Sequence, residues 1–238
     1  MSLGEILSDA IRYPFSDITK FLMVGVLALL AGIANLIYPN GTDNTIMMVL
    51  LTLIGVIFGV ILSGFCLDVI RKGIHHSNEI PSINPAENLI DGIKVIIIEI
   101  VYYIIPLIIA AVLGLLGGFV GAGLNQVSAG TAFAVIVALI VVIIFSILEI
   151  VAIARFADTG DLGAAFNFGE IFEYAKRIGI LNIILFTIVT IILAVVLSIV
   201  LGLLGLIPYI GVIIAVVLLG GFIVLFYYRG IGLLYAHA

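Results

Sequence analysis

The stretch from Ile100 to Leu148, IVYYIIPLIIAAVLGLLGGFVGAGLNQVSAGTAFAVIVALIVVIIFSIL, contains no Asp, Glu, Lys or Arg. It has 49 residues, which as one helix would be about 75 Å long at about 1.5 Å per residue. The hydrocarbon core of a bilayer is only about 30 Å thick, so the stretch is expected to fold back once. Turn-forming residues mark the place: Gly117, Gly118, Gly121, Gly123 and Gly130, with Asn125, Gln126 and Ser128.

Other uncharged runs bring the predicted number of spans to six. A run of 51 residues from Ile178 to Tyr228 has its turn signal at Ile207-Pro208-Tyr209-Ile210-Gly211. Runs of 22 and 24 residues on either side of Asp43 are each long enough for one helix. The predicted spans are Phe21 to Tyr38, Ile46 to Leu67, Val95 to Leu116, Thr131 to Ala154, Ile180 to Leu206 and Ile210 to Phe226.

The overall composition is that of an integral membrane protein. Hydrophobic residues make up 64% of the chain against about 45–50% in soluble domains, and the mean hydropathy is +1.45. The net charge of -5 comes without a basic cluster, which argues against nucleic acid as a partner. The lone Cys66 excludes an intramolecular disulfide. Membrane lipid is the partner that this composition indicates.

The basic residues predict the orientation. All nine Lys and Arg residues can lie on one side of a membrane. They fall before the first span, in two alternate connections and after the last span. Basic loops resist translocation, so we expect a multi-pass protein of the cell membrane with both termini cytoplasmic. The nine are Arg12, Lys20, Arg71, Lys72, Lys94, Arg155, Lys176, Arg177 and Arg229.

A pattern recurs three times along the chain. Ser2, Asn84 and Asn167 are each followed three positions later by Glu, as in a helix capping box, and their spacings are 82 and 83 residues. Each copy has a base ten positions after the cap, then two spans, then an exit arginine. The bases are Arg12, Lys94 and Arg177, and the exit arginines are Arg71, Arg155 and Arg229.

These copies predict an all-α fold, a single membrane domain over residues 1–238 built from three units at about 1–75, 84–160 and 163–235. Each unit is a cytoplasmic amphipathic helix followed by a transmembrane hairpin. All units enter from the same side, so they are parallel repeats, which are related by an axis along the membrane normal. The expected architecture is a pseudo-threefold bundle of six helices.

The cytoplasmic helices carry apolar stripes at helical spacing. Two interpretations remain open for them, a structural cuff beneath the bundle and a lipid-sensing surface. The predicted stripes are Leu3, Ile6, Leu7, Ala10 and Ile11 in the first unit, and Phe168, Ile171, Phe172 and Ala175 in the third.

Glu99 and Glu149 are the ionisable residues inside the predicted spans. They lie on the two arms of one hairpin, each about 8–9 Å along its helix from Lys94 or Arg155. Charge in hydrocarbon is costly, so this pair is a candidate site for a shared proton or a bound ion. The alternative is a pair of interfacial carboxylates satisfied by water or basic side chains. Asp17 and Asn182 occupy the positions equivalent to Glu99, which predicts a polar ring near the cytoplasmic rim.

The sequence contains no catalytic or cofactor signature. His75 and His76 are adjacent in a connection, without partners at the spacing of a tetrahedral metal site. A Ser-His-Asp set, a phosphate-binding Gly-Lys loop and a zinc-protease helix are absent. We therefore expect neither enzymatic activity nor a cofactor or metal.

Two terminal motifs resemble a known family. The opening Asp9-Ala10-Ile11-Arg12-Tyr13-Pro14-Phe15-Ser16-Asp17, followed by Lys20 and an apolar span, resembles the start of domain-of-unknown-function family 4013. The closing Tyr228-Arg229-Gly230-Ile231-Gly232-Leu233-Leu234-Tyr235 is similar to its end. The resemblance implies membrane residence and an archaeal source. It implies no activity and no functional residue.

Two functions follow as hypotheses. One is a membrane-embedded structural, lipid-interacting or partner-binding module, whose small residues four apart, such as Gly55 and Gly59 or Gly114 and Gly118, pack helices within the chain or form a homo-oligomer face. The other is a transporter or channel for a small solute or ion, with a site near the pseudo-threefold axis. An axis filled by apolar side chains favours the module, whereas a polar axis containing Glu99 and Glu149 favours transport.

Overall fold

The computed structural model describes residues 2–38, 41, 43–121, 129–207 and 210–238, and every regular element within them is a helix. The chain begins with α1 (Leu3–Arg12), a 3-10 turn at Tyr13–Ser16, α2 (Ile18–Ala31) and the short α3 (Ile33–Ile37). The chain bends by 93° between the segments Leu3–Ser16 and Ile18–Ala31. Pro14 lies at the start of the 3-10 turn, and the Asp17 side chain caps α2 by accepting from the Lys20 amide.

Long helices follow, joined by shorter elements. These are α4 (Thr45–Ile74), α5 (Pro85–Gly121), α6 (Ala129–Thr159), a 3-10 turn (Leu162–Phe166), α7 (Phe168–Ile178) and α8 (Ile180–Leu204). The chain ends with α9 (Ile210–Ala215), a π-helical turn (Val216–Gly220) and α10 (Gly221–Tyr235).

Five segments in the described part of the chain are long and apolar enough to cross a membrane. The number is six if Leu3–Ser16 and Ile18–Ala31 together form one span. The all-helical membrane class is thereby confirmed. The five segments are Thr45–Ile74, Pro85–Leu115, Ala132–Thr159, Ile180–Leu204 and Ile210–Tyr235.

The predicted turn regions differ from the helix ends. Gly117, Gly118 and Gly121 are still helical in α5, and Gly130 is already in α6. The rest of that predicted turn, with Gly123, Asn125, Gln126 and Ser128, lies outside the described residues, as do Pro208 and Tyr209.

The second predicted cytoplasmic helix is not a separate element. Residues 85–94 form the first turns of α5, which continues without a break through Glu99. The first and third units do separate their short helix from the span. A proline-containing turn does so in the first unit, and Gly179 at φ 88° does so between α7 and α8. Such a positive φ suits glycine and interrupts the helix, and α5 has no comparable residue at this position.

The buried core lies at the end of the bundle that carries the basic residues. It joins Leu67 and Ile70 of α4, Val151 of α6, and Phe226 and Ile231 of α10. On the short helices, α1 buries Ile6 and Ala10 and α7 buries Ile171 and Ala175. Three residues of the predicted stripes are instead exposed: Ile11, Phe168 and Phe172.

The outer parts of the helices expose apolar side chains on much of their circumference. In α8, Ile183 and Phe186 are the buried residues of the whole helix, whereas Leu181 is 67% and Ile199 61% exposed. Surfaces of this kind are stable in hydrocarbon and not in water.

Close helix contacts use Gly55, one of the predicted glycines, and others that were not predicted. A methyl group at Gly55 of α4 would lie 2.8 Å from the Ala31 carbonyl oxygen of α2. A methyl group at Gly64 of α4 would lie 1.9 Å from the Asn88 carbonyl oxygen, and one at Gly92 of α5 would lie 1.9 Å from the Val60 carbonyl oxygen. These two glycines let α4 and α5 touch backbone to backbone. By contrast, Gly59 and Gly114 face open space.

We expect Gly64→Ala to destabilise the protein by about 1–3 kcal/mol, because the added methyl group must push two helix backbones apart. Gly59→Ala, on the same helix, should be neutral or stabilising by up to about 1 kcal/mol, because alanine favours helix and the position is open. Thermal unfolding in detergent measures both. Equal stability of the two variants would contradict the close α4–α5 contact.

Candidate functional site

Among the described residues, Arg229 of α10 is the most deeply buried charged residue, with 1% of its side chain exposed. Its Nε donates to Asp9 Oδ1 of α1 at 2.8 Å, and its Nη1 donates to the carbonyl oxygens of Lys72 and Ser77. Its Nη2 donates to Asn78 Oδ1 at 3.2 Å, and the guanidinium lies 4.7 Å from the Tyr13 ring centroid. One side chain thus joins the last helix to the first helix and to the segment after α4.

Arg71 of α4 makes a second junction. Its Nη1 lies 2.8 Å from Asp68 Oδ1 and 2.9 Å from Asp91 Oδ2 of α5, and its Nε donates to the Ala157 carbonyl of α6. Asn88 also donates to Asp68, at 2.7 Å. Arg71 therefore holds the ends of α4, α5 and α6 together.

Arg155 of α6 makes a third junction, with α7 and α10. Its Nη2 is 2.7 Å from Glu170 Oε2, and its Nη1 donates to the Tyr174 hydroxyl at 2.9 Å. The guanidinium stacks on the Tyr174 ring at 4.5 Å, and the Tyr235 hydroxyl lies 3.5 Å from Nη1. Among the described residues, its Nε is buried without a hydrogen-bond acceptor.

The three junctions follow one sequence rule. Asp9, Asp91 and Tyr174 each lie seven positions after the capping residue of their unit, Ser2, Asn84 or Asn167. Arg71 contacts Asp91, Arg155 contacts Tyr174, and Arg229 contacts Asp9. Each exit arginine therefore contacts the first helix of the next predicted unit, and the last arginine contacts that of the first predicted unit. We call these three contacts the arginine ring.

The caps themselves differ from copy to copy. Ser2 and Glu5 form the full predicted capping box, with the Ser2 amide donating to Glu5 Oε2 at 2.7 Å. At Asn167 the side chain accepts from the Glu170 amide, while the Glu170 carboxylate binds Arg155. At the second copy, the Asn84 amide donates to the Asn88 side chain four residues on. Glutamate at the third position is thus used in more than one way.

The segment between α4 and α5 is tied down by lysines. Glu79 forms ion pairs with Lys72 at 3.2 Å and with Lys20 at 3.4 Å. The hydrogen bond and charge of Lys72, and then those of Lys20, hold the pKa of Glu79 below its ordinary value. Lys20 also donates to the Ile80 carbonyl at 2.6 Å, and the Tyr13 hydroxyl donates to the Glu79 carbonyl.

An open polar pocket of about 470 Å³ lies beside α1, lined by Glu5, Asp9, Arg12 and Tyr13 among others. Asp9 is already paired with Arg229 and Tyr13 with Glu79, so part of its polar lining serves the fold.

Glu99 and Glu149 lie deeper than the arginine ring and close enough for their charges to interact. Glu149 is 9% exposed and lines a cleft of about 260 Å³ between α5 and α6, beside Tyr103 and Pro106. Glu99 is half-buried, and its charge also acts on Tyr228 of α10. None of the ion pairs between described residues includes either glutamate.

The residues at the positions equivalent to Glu99 have local roles. Asp17 caps α2, and the Asn182 amide donates to the Ile178 carbonyl one turn earlier in the chain. His76 lies beside His237, with ring centroids 6.0 Å apart. Within the described residues, no group of three or more His, Cys, Asp and Glu side chains has the arrangement of a metal site.

The three exit arginines could be recognised in the sequence, but the side chains that they contact were not predicted. Asp9 and Asp91 were recognisable as matching positions, whereas Tyr174 replaces the aspartate in the third copy. The common offset of seven residues from the cap was the signal that could have found all three.

The chain matches the family described as "Protein of unknown function (DUF4013)" over residues 47–207, about two thirds of its length, and it belongs to that family. The membership predicted from the two ends is confirmed, although those terminal motifs lie outside the matched range. No curated protein and no solved structure matches the chain.

We expect Arg229→Gln to destabilise the protein by about 3–5 kcal/mol, because it leaves buried carbonyl groups and Asp9 without their donor. Arg12→Gln is the matched control, since Arg12 is exposed and forms no ion pair among the described residues. Denaturant unfolding in detergent measures both. A loss below about 1 kcal/mol for Arg229→Gln would refute its role as a junction.

Proposed function

We propose that this member of the DUF4013 family is a non-catalytic module of the membrane that has a structural, lipid-interacting or partner-binding role. The observation that carries the proposal is the apolar core between α4, α6 and α10 at the basic end. Leu67 and Ile70, Val151, and Phe226 and Ile231 meet there in one cluster. Helices that pack against each other through such apolar side chains suit a structural or binding module better than a transporter or channel.

The proposal includes the three-unit architecture. The arginine ring supports it, because the contact from each unit to the next recurs with the same offset and returns from Arg229 to Asp9. Closure of this kind is expected of parallel repeats around an axis along the membrane normal. The units are not equal, since α8 buries far fewer residues than the other long helices.

The absence of enzymatic activity is part of the same proposal. Many polar side chains at the basic end bind one another, as Arg71 does with Asp68 and Asp91, and Arg155 with Glu170. Groups engaged in this way stabilise helix ends and are not free to act on a substrate.

The exposed apolar surface supports membrane lipid as the principal partner. Beyond its first two turns α8 has no buried side chain, so lipid, a second copy of the chain or another membrane protein covers it. We infer that bilayer lipid is the default occupant, because the surface is apolar around most of the helix.

A transporter or channel is the second candidate, and Glu149 is the observation that favours it. A carboxylate at this depth without an ion pair is a recognised feature of ion and proton pathways. Against it, the cleft beside Glu149 borders the apolar core of the basic end, since Tyr102 belongs to that core and Phe145 packs against it.

We further propose that the basic end faces the cytoplasm, with both termini there. In a Cys66→Ala background, His75→Cys should react with a membrane-impermeant maleimide only after the cells are opened. Asp43→Cys should react in intact cells. Both positions are exposed, so accessibility within the protein does not limit labelling. Labelling of His75→Cys from outside would reverse the orientation.

If the protein is such a module, we expect the purified protein in liposomes to transport neither ions nor small solutes. Proton, sodium and small-solute movement should equal that of empty liposomes, and Glu99→Gln and Glu149→Gln should change nothing. Flux that depends on the protein and falls at least about tenfold in Glu149→Gln would favour the transporter instead. Correct insertion is checked by the cysteine labelling above.

A further inference from the structure

The cleft between α5 and α6 combines a buried negative charge with apolar and aromatic walls. Glu149 is nine-tenths buried and forms part of the lining. Leu107, Ala110, Val142 and Phe145 supply most of the rest. The cleft is reached from the lipid-facing side, where Tyr103 is 59% and Leu107 67% exposed.

The negative charge in this cleft has no positive partner in the described part of the chain. Glu99 adds a second negative charge that acts on Glu149. Burial in surroundings of low polarity and a second carboxyl group nearby both make the ionised form of Glu149 costly, and a cation that pairs with Glu149 relieves that cost. The Tyr103 hydroxyl donates a hydrogen bond to the Glu149 carboxyl group but brings no positive charge.

The walls distinguish between kinds of cation. Calcium and similar ions need about six or more oxygen ligands, and magnesium also keeps several waters. The cleft offers instead one carboxylate, with Tyr102, Tyr103 and Phe145 as aromatic neighbours. Aromatic faces and a single counter-ion are what organic ammonium groups bind.

Pro106 contributes a further acceptor. Proline has no amide hydrogen, so the carbonyl of Tyr102, four residues earlier, lacks its regular helical donor. Tyr102 and Pro106 both line the cleft. An ammonium group that carries N–H can donate a hydrogen bond to such a carbonyl, whereas a quaternary ammonium group cannot. The Tyr102 hydroxyl is itself engaged, donating to the Ala165 carbonyl at 2.9 Å.

We propose that this cleft binds a small protonated amine with an apolar or aromatic body, the ammonium group pairing with Glu149. The volume of about 260 Å³ corresponds to about nine water molecules at about 30 Å³ each, which suits a small arylalkylamine. The site is separate from the arginine ring and does not depend on the function proposed above.

Fluorine NMR titration tests the site on the full-length protein in detergent. The probe is para-fluorobenzylamine, protonated at neutral pH, and para-fluorobenzyl alcohol is the neutral control of nearly the same shape. We expect the amine to bind at least about tenfold more tightly than the alcohol, because only the amine pairs with a buried carboxylate. Equal affinities would mean partitioning into an apolar groove and would overturn the proposal.

Matched variants locate the binding. Glu149→Gln should lower the affinity for the amine about tenfold or more and leave that for the alcohol unchanged. Glu87→Gln, an exposed position on α5, should leave both unchanged. Unaltered amine binding in Glu149→Gln would overturn the assignment.

A second variant keeps the test decisive if Glu149→Gln does not fold. Ala110→Phe retains the carboxylate but fills the cleft from its apolar wall, and it should abolish binding of the amine. Amine binding that persists in Ala110→Phe would also overturn the proposal.

Discussion

Burial of Arg229 is the interaction on which the arrangement of the chain depends. A guanidinium has five N–H donors, and a site that excludes water must supply acceptors for them. Here they come from α1, from the end of α4 and from the segment that follows it. The last helix can therefore bury Arg229 only against the first helix and that segment.

The other exit arginines apply the same constraint around the bundle. Arg71 joins α4 to α5 and α6 through Asp91 and the Ala157 carbonyl, and Arg155 joins α6 to α7 through Glu170 and Tyr174. Most charged side chains lie at one end of the molecule, because hydrocarbon does not tolerate charge along the spans. That confinement brings the polar groups close enough to satisfy one another, and the apolar core forms directly beside them.

Glu99 and Glu149 are acidic residues inside the apolar part of the helices, which makes their setting informative. They lie beyond the ring, without ion pairs among the described residues, and one of them faces a cleft that opens to the lipid side. The apolar core and the cleft beside Glu149 are compatible because they lie between different helices. The core lies between α4, α6 and α10, and the cleft lies between α5 and α6. A module that binds an amphiphilic amine from the membrane would need both.

Hydropathy and charge are local properties of the chain, and they were enough to predict the helical membrane class, most of the spans and the collection of basic residues at one end. Ser2 and Glu5 could likewise be recognised as a cap, because a cap involves neighbouring residues. The tertiary structure alone decided that α5 runs unbroken through the second unit, that Gly64 and Gly92 rather than Gly59 carry the close contact, and that Arg155 meets Tyr174. Each of these depends on how closely segments far apart in sequence approach one another, which no single stretch of the chain specifies.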